Sequence, residues 1–264
     1  MAKALTLGFS PCPNDTFMFA ALVNGWIDTK GLTFESELAD IETLNEWAGQ
    51  GRLDITKLSF NRYYSLSDQY RLLSSGAALG RGCGPLLVAR QALSPESIDQ
   101  ASIALPGVWT TAHLLFSVFY PNARDKRFMV FHEIEEAVSN GSTEAGVIIH
   151  ENRFTYEDKG LVKITDLGET WEQETGLPIP LGGIFSSAAL DAHLSHLIEE
   201  LIRESILFAR RYPEKVMPYV RAHAQEMEDS VMQAHIDLYV NDFSLDLGDE
   251  GHTAILRLKN KLPG

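Results

Sequence analysis

The sequence predicts an α/β protein built as two lobes with a ligand cleft between them. Three observations carry the expectation. Short apolar stretches alternate with segments of helical period through most of the chain, as strands and helices packed in layers do. The alternating part falls into two sets joined first by "GCGPLLVAR" (82–90) and later by "IPLGGIFSS" (179–187), so the chain is expected to cross between lobes twice. From Leu190 onward the pattern is helical, and these helices are expected to return to the first lobe. The expected division is 1–89 with 183–264 as one discontinuous lobe and 90–182 as the inserted one, with largely parallel sheets.

In the first set, "ALTLGF" (4–9) alternates as a strand, "SPCPND" (10–15) turns, and Asp15 or Thr16 caps a helix that Gly25 ends. "FESEL" (34–38) reads as a strand and "DIETLNEWAGQG" (40–51) as a helix stopped by glycines. "LDITKLSF" (53–60) is a strand running into a helix near "NRYYSLSDQY" (61–70). In the second set, "ASIALPGVWTTAHLLFSVFY" (101–120) gives strand, turn and helix, with Thr110 or Thr111 as cap. "RFMVFHEIEEAVSNG" (127–141) and "EAGVIIHENRF" (144–154) give two strands around a short helix, and "GLVKITDLG" (160–168) a short strand. Apolar residues at Leu194, Leu197, Ile198, Leu201, Ile202 and Phe208 keep helical spacing, and further helices are expected within 213–223, 228–241 and 248–261.

Composition excludes some classes of function. With 45% hydrophobic and 22% charged residues the chain is globular, and a formal charge of −14 without a basic stripe argues against a nucleic-acid partner. No apolar run approaches the ~20 residues that cross a bilayer, and the N-terminus lacks the apolar region of a secretory signal, so a cytoplasmic location without membrane contact is expected. Cys12 and Cys83 lack metal-type spacing and are expected to be reduced thiols. His193 and His196 have no third ligand at metal-site spacing, and no P-loop or GxGxxG opens a helix, so neither a metal nor a cofactor is expected. A homodimer is left open.

The residues of chemical interest stand at strand ends, where open α/β sheets bind ligands. Ser10 with Asn14, Lys57 with Ser59, and Thr110 with Thr111 each place small polar groups at a strand-to-helix junction, where free N–H groups suit a carboxylate or phosphate. Each is also what a helix cap or turn requires; their convergence on one cleft would favour a small anionic ligand. His150 closes an apolar strand, where an imidazole can act as a base near neutral pH or be a satisfied structural histidine. His132, after "RFMVF", competes with it for that role.

With "LGFSPCPNDTFMF", "TKLSF", "ALGRGCGPLLVAR", "PGVWTTA", "AGVIIHENRFTY", "TGLPIPLGGI", "RAHAQEM" and "YVNDFSLDLGDEG" in view, the chain resembles the 1,4-dihydroxy-6-naphthoate synthases of the futalosine route to menaquinone, from about residue 5 to 251. The resemblance implies a periplasmic-binding-protein-like (type II) fold reused as a carbon–carbon lyase. The reaction it implies converts cyclic dehypoxanthinyl futalosine to 1,4-dihydroxy-6-naphthoate, releasing the sugar-derived fragment without a metal or organic cofactor. By motif, the family's base falls on His150, its substrate-contacting "KLS" on Lys57, Leu58 and Ser59, and its paired threonines on Thr110 and Thr111; His132 has no counterpart. A non-catalytic solute-binding protein for a small anionic ligand would share lobes and cleft but need no base.

Overall fold

The computed structural model describes residues 4–224 and 228–262, so the start of the N-terminal reading and the end of the "RAHAQEM" block lie outside the described residues. The chain runs β1 (Leu5–Phe9), α1 (Pro13–Val23), β2 (Phe34–Leu38), α2 (Ile41–Gly49), β3 (Ile55–Ser59), α3 (Phe60–Ser65), β4 (Tyr70–Leu72) and β5 (Ala78–Gly80). It continues as β6 (Leu86–Ala89), α4 (Pro95–Gln100), β7 (Ile103–Leu105), α5 (Thr111–Phe119), β8 (Lys126–Phe128), a 3-10 turn at Phe131–Glu133, α6 (Ile134–Ser139), β9 (Ala145–Ile148), α7 (Asn152–Thr155), β10 (Val162–Asp166) and α8 (Leu167–Thr175). The last part is β11 (Ile179–Ser187), α9 (Ala192–Arg211), α10 (Pro213–His223), α11 (Asp229–Tyr239), α12 (Asp242–Leu245) and α13 (Gly248–Lys259).

Two sheets form. The first has the order β2-β1-β3-β11-β4, with β5 on β11, and the second β10-β6-β9-β7-β8. Sheet membership therefore changes between β5 and β6 and again between β10 and β11. The two connections pass so close that a Cβ on Gly84 would lie 2.3 Å from the Cα of Gly168, a separation only glycine permits. Trp171, fully buried on α8, donates its indole N–H to the Pro178 carbonyl at 3.0 Å and fixes the return.

The sheets are mixed where largely parallel ones were expected. β1 pairs in parallel with β2 and β3, and β7 with β8 and β9, but β11 runs antiparallel to β3, and β6 antiparallel to both β9 and β10. The reason lies in where the chain enters. Gly182, near the start of β11, faces Ser59, the last residue of β3, so the returning chain joins the first sheet at the end where β3 leaves it and must run the opposite way.

Local chemistry explains most boundaries and corrects several. Pro13 occupies the first turn of α1, where its fixed φ suits the helix and its missing N–H costs nothing, so the helix starts before Asp15 or Thr16 and Cys12 holds the cap position. Asp40, Thr110 and Asp166 cap α2, α5 and α8 through their side chains. The helix expected through 61–70 ends at Ser65, and β4 follows because Tyr70–Leu72 pair with β11. Helices α4 and α8 were not anticipated.

One apolar cluster joins the first sheet to α1, α9, α10 and α11; within it Phe9 and Phe19 stack at 4.7 Å. Another runs from Leu58, Phe60 and Phe185 of the first part to Leu87, Leu115 and Val147 of the second, so the two sheets are bound by a shared core as well as by the connections.

Candidate active site

The carboxyl ends of β1, β3 and β9 and the start of α5 converge on a cleft. Ser10, Asn14, Lys57, Ser59, Thr110, Thr111 and His150 all line it, and Ile41, Pro85, Ile149, Leu181 and Tyr239 give it apolar walls. Leu58 does not: along β3 successive side chains alternate, so Lys57 and Ser59 face the cleft while Leu58 is fully buried in the core.

The floor is a buried ion pair. Lys57 Nζ lies 2.6 Å from Asp15 Oδ1, with side-chain exposures of 6% and 1%, low enough that removing either charge would strand the other. Asp15 also accepts from Ser10 Oγ at 2.7 Å, from the Ser10 N–H at 3.2 Å and from Asn14 Nδ2 at 2.8 Å. A carboxylate thus organises the "SPCPND" turn, and the lysine arrives already neutralised. Asn14 Oδ1 is buried and finds no hydrogen-bond partner among the described residues, which leaves an acceptor for a ligand hydroxyl or N–H.

The hydroxyl groups are positioned to different degrees. Asn45 on α2 clamps Ser59 twice, donating to its Oγ at 3.1 Å and accepting from its N–H at 3.0 Å, so the serine proton can be given to a ligand. Thr110 Oγ1 donates to the Gly107 carbonyl at 2.9 Å and accepts from the His113 N–H at 3.2 Å. Thr111 Oγ1 donates to the Leu181 carbonyl at 2.6 Å. The threonine hydroxyls hold the loop, and what they offer a ligand is the first N–H groups of α5, which have no partner within the helix. This loop is tied across the cleft as well: Glu42 on α2 accepts from the Trp109 N–H at 3.0 Å, and Asn61 Nδ2 on α3 donates to the Thr110 carbonyl at 3.2 Å.

His150 follows β9 in the left-handed region, φ 58°, uncommon for a non-glycine residue. The residues after it explain how that backbone is held. Asn152 Nδ2 donates to Glu135, and Arg153 pairs with Asp166 at 2.8 Å and donates to the Gly84 carbonyl, anchoring the turn to the connection between sheets. The His150 ring meets Phe131 edge-on at 4.9 Å. Its Nε2 is enclosed and has no hydrogen-bond partner among the described residues, although the residue as a whole is only half-buried. Burial pushes its pKa down to about 4, with Asp15 opposing and Lys57 reinforcing the shift, so the ring is neutral at pH 7 with a lone pair available. His132 lies elsewhere, exposed in the 3-10 turn and away from the cleft lining, because the strand before it ends at Phe128.

Sequence reasoning missed several groups here. Asp15 was read as a helix cap and Cys12 as an unremarkable thiol, yet Cys12, His150 and Glu151 bring ligand-type atoms within 4.8 Å of one another. From α11 come Tyr239, which lines the cleft, and His235, fully buried with Nε2 3.9 Å from Glu151 Oε2. Only the return of the C-terminal helices places these two, so no local signal could have found them.

A family model described as menaquinone biosynthesis matches residues 5–262. A curated protein of Thermus thermophilus named 1,4-dihydroxy-6-naphtoate synthase is 48% identical over 256 residues, covering 97% of this chain and 93% of the relative. A crystal structure of a protein from Archaeoglobus fulgidus superposes with a TM-score of 0.93 at 32% identity, over 98% of this chain and 96% of that one. The periplasmic aliphatic sulphonate binding protein of Escherichia coli shares the fold at a TM-score of 0.67 and 10% identity, over 98% and 86% of the two chains.

Proposed function

The chain belongs to the menaquinone biosynthesis family, and from that premise we propose that it is a carbon–carbon lyase converting cyclic dehypoxanthinyl futalosine to 1,4-dihydroxy-6-naphthoate, with His150 as the proton-abstracting base. The reading includes a cytoplasmic site of action, a small anionic substrate, and two lobes of 1–89 with 183–264 and 90–182; β6 (Leu86–Ala89) pairs in the second sheet and β11 enters the first sheet at Ile179, so each change of sheet comes earlier in the chain than the expected bound.

The observation that carries the proposal is the setting of His150: an imidazole whose Nε2 is enclosed and without a hydrogen-bond partner among the described residues, on the wall of a cleft lined by hydrogen-bond donors, where burial favours the neutral ring. A solute-binding protein could use such a nitrogen only as one hydrogen-bond partner for its ligand, since a neutral ring contributes no charge to an anion. For a base it is the required form. Breaking a bond beside a carbonyl needs a proton removed and the resulting oxyanion stabilised. The Ser59 hydroxyl, the Lys57 ammonium and the N–H groups opening α5 supply donors for that charge, and aromatisation of the product supplies driving force.

The test is turnover of cyclic dehypoxanthinyl futalosine by the pure protein and by His150→Ala. The expected result is a loss of about 10²–10⁴-fold in kcat, the usual worth of a positioned base, with much less change in substrate affinity. A folded variant with turnover close to that of the wild type would refute the assignment. Binding without turnover by the unaltered protein would favour the solute-binding reading.

A further inference from the structure

Cys12, His150 and Glu151 approach one another from the two sheets of the fold, next to the cleft that His150 lines. Cys12 caps α1, which packs on the first sheet, while His150 and Glu151 follow β9 of the second. A thiol sulphur, an imidazole nitrogen and a carboxylate oxygen, one from each residue, nevertheless lie within 4.8 Å of one another. Cys12 and Glu151 are buried, unlike the solvated carboxylates that cluster on surfaces. Thiolate, imidazole and carboxylate are together the donor set of a borderline-soft ion, zinc above all. Zinc with bonds of roughly 2.0–2.3 Å spaces tetrahedral ligands by about 3.3–3.8 Å, so the three atoms need draw in by only about an ångström. The enclosed His150 Nε2, without a hydrogen-bond partner among the described residues, is a separate sign that the imidazole is not spent on the protein itself.

We propose that Cys12, His150 and Glu151 form a zinc-binding site whose occupant inhibits the enzyme, masking the imidazole lone pair and fastening the parts that carry the two sheets to each other. Three protein ligands leave a fourth tetrahedral position for water. As the sulphur–zinc bond forms, the thiol proton passes to solvent and no electron changes hands. The ion is not needed for turnover; it competes with the proton that the base must accept. The inhibitory half rests on His150 being the base, whereas the binding half does not.

Cobalt(II) and zinc(II) are the probes. Titration of the wild-type protein with cobalt should give one saturable equivalent, with tetrahedral visible bands and a near-ultraviolet thiolate-to-cobalt band that added zinc abolishes. Cys12→Ser should lose the thiolate band and bind zinc roughly tenfold or more weakly, as should Glu151→Gln. Cys83→Ser and the surface variant His196→Ala should keep the band. Turnover should fall in step with zinc occupancy and return on chelation. No saturable cobalt binding, or binding unaltered in Cys12→Ser, would overturn the site, and the wild-type thiolate band decides the matter even if a variant fails to fold. Full turnover at full zinc occupancy would overturn the inhibition. Metal-free His150→Ala tests the base separately, so undiminished activity there would sink the catalytic reading and leave the spectroscopic result standing.

Discussion

Replacing Asp15 by Asn removes the negative half of the cleft's buried ion pair while keeping its shape. In the wild type, Asp15 accepts from four donors, the Lys57 ammonium at 2.6 Å among them, and both side chains are almost wholly out of solvent. Breaking a buried pair by removing one partner costs about 3–5 kcal/mol, because the survivor is left as an uncompensated charge. Lys57 lines a cleft that water can enter, and the Asn oxygen can still accept one of the bonds, so the lower end, about 3 kcal/mol, is expected. Urea unfolding followed by tryptophan fluorescence measures it. The double variant Asp15→Asn/Lys57→Met separates charge from shape: with no charge left stranded, it should be more stable than Asp15→Asn alone. A single-variant cost below about 1 kcal/mol, within the range of exposed pairs, would refute the picture of a desolvated pair.

Three other outcomes follow from the same geometry. With His150 as the proposed base, active as neutral imidazole and with burial holding its pKa near 4, kcat/KM should rise with pH through about 4 and be flat across neutrality, and a rising limb near 6.5 would show that the ring is not desolvated in the free enzyme. The same depressed pKa means that the unfolded chain binds a proton the folded one refuses, so between pH 6.5 and about 4 the wild type should lose up to about 3 kcal/mol more stability than His150→Gln, read by unfolding at both pH values. Gly168→Ala would place a Cβ 2.7 Å from the Cα of Gly84 and should lower stability measurably in the same assay, because the obstruction is backbone and not a yielding side chain; an unchanged midpoint would mean that the connections can move apart.

What the sequence revealed and what it concealed divide along a physical line. Junction residues were legible because helix starts obey local rules: small polar residues after a strand end at Ser10, Ser59 and Thr110 mark places where N–H groups are free, and the structure gathers all three at the cleft. The parity of a strand was legible too, yet "KLS" was taken as a unit; Leu58 faces the core because side chains alternate, whatever the motif's extent. Groups supplied by distant chain could not be read locally. Tyr239 and His235 reach the site only because α11 packs back, and the antiparallel entry of β11 depends on where the second connection returns, which periodicity does not encode. Even the histidine pKa belongs to this second class. The residue type gave a group that titrates near neutrality, and only the closed packing around Nε2 moves it to about 4.

That displacement bears on how a binding-protein fold can carry catalysis. A cleft for an anion can rely on helix N-termini and hydroxyl groups, and those are present at α5 and Ser59. Lys57 adds little attraction for an anion at a distance, since Asp15 neutralises it; its ammonium acts only at contact, toward charge that develops beside it. The proposed base, His150, is neutral and desolvated, so it too adds no charge to ground-state attraction and becomes charged only on taking a proton. Both groups are therefore quiet before reaction, and a cation formed at His150 would lie in the field of Asp15, which the coupling between them favours. On this reasoning Asp15→Asn should lower kcat more than it raises KM in the fraction that remains folded. A variant that loses affinity with kcat intact would instead make the Asp15–Lys57 pair a ground-state binding device.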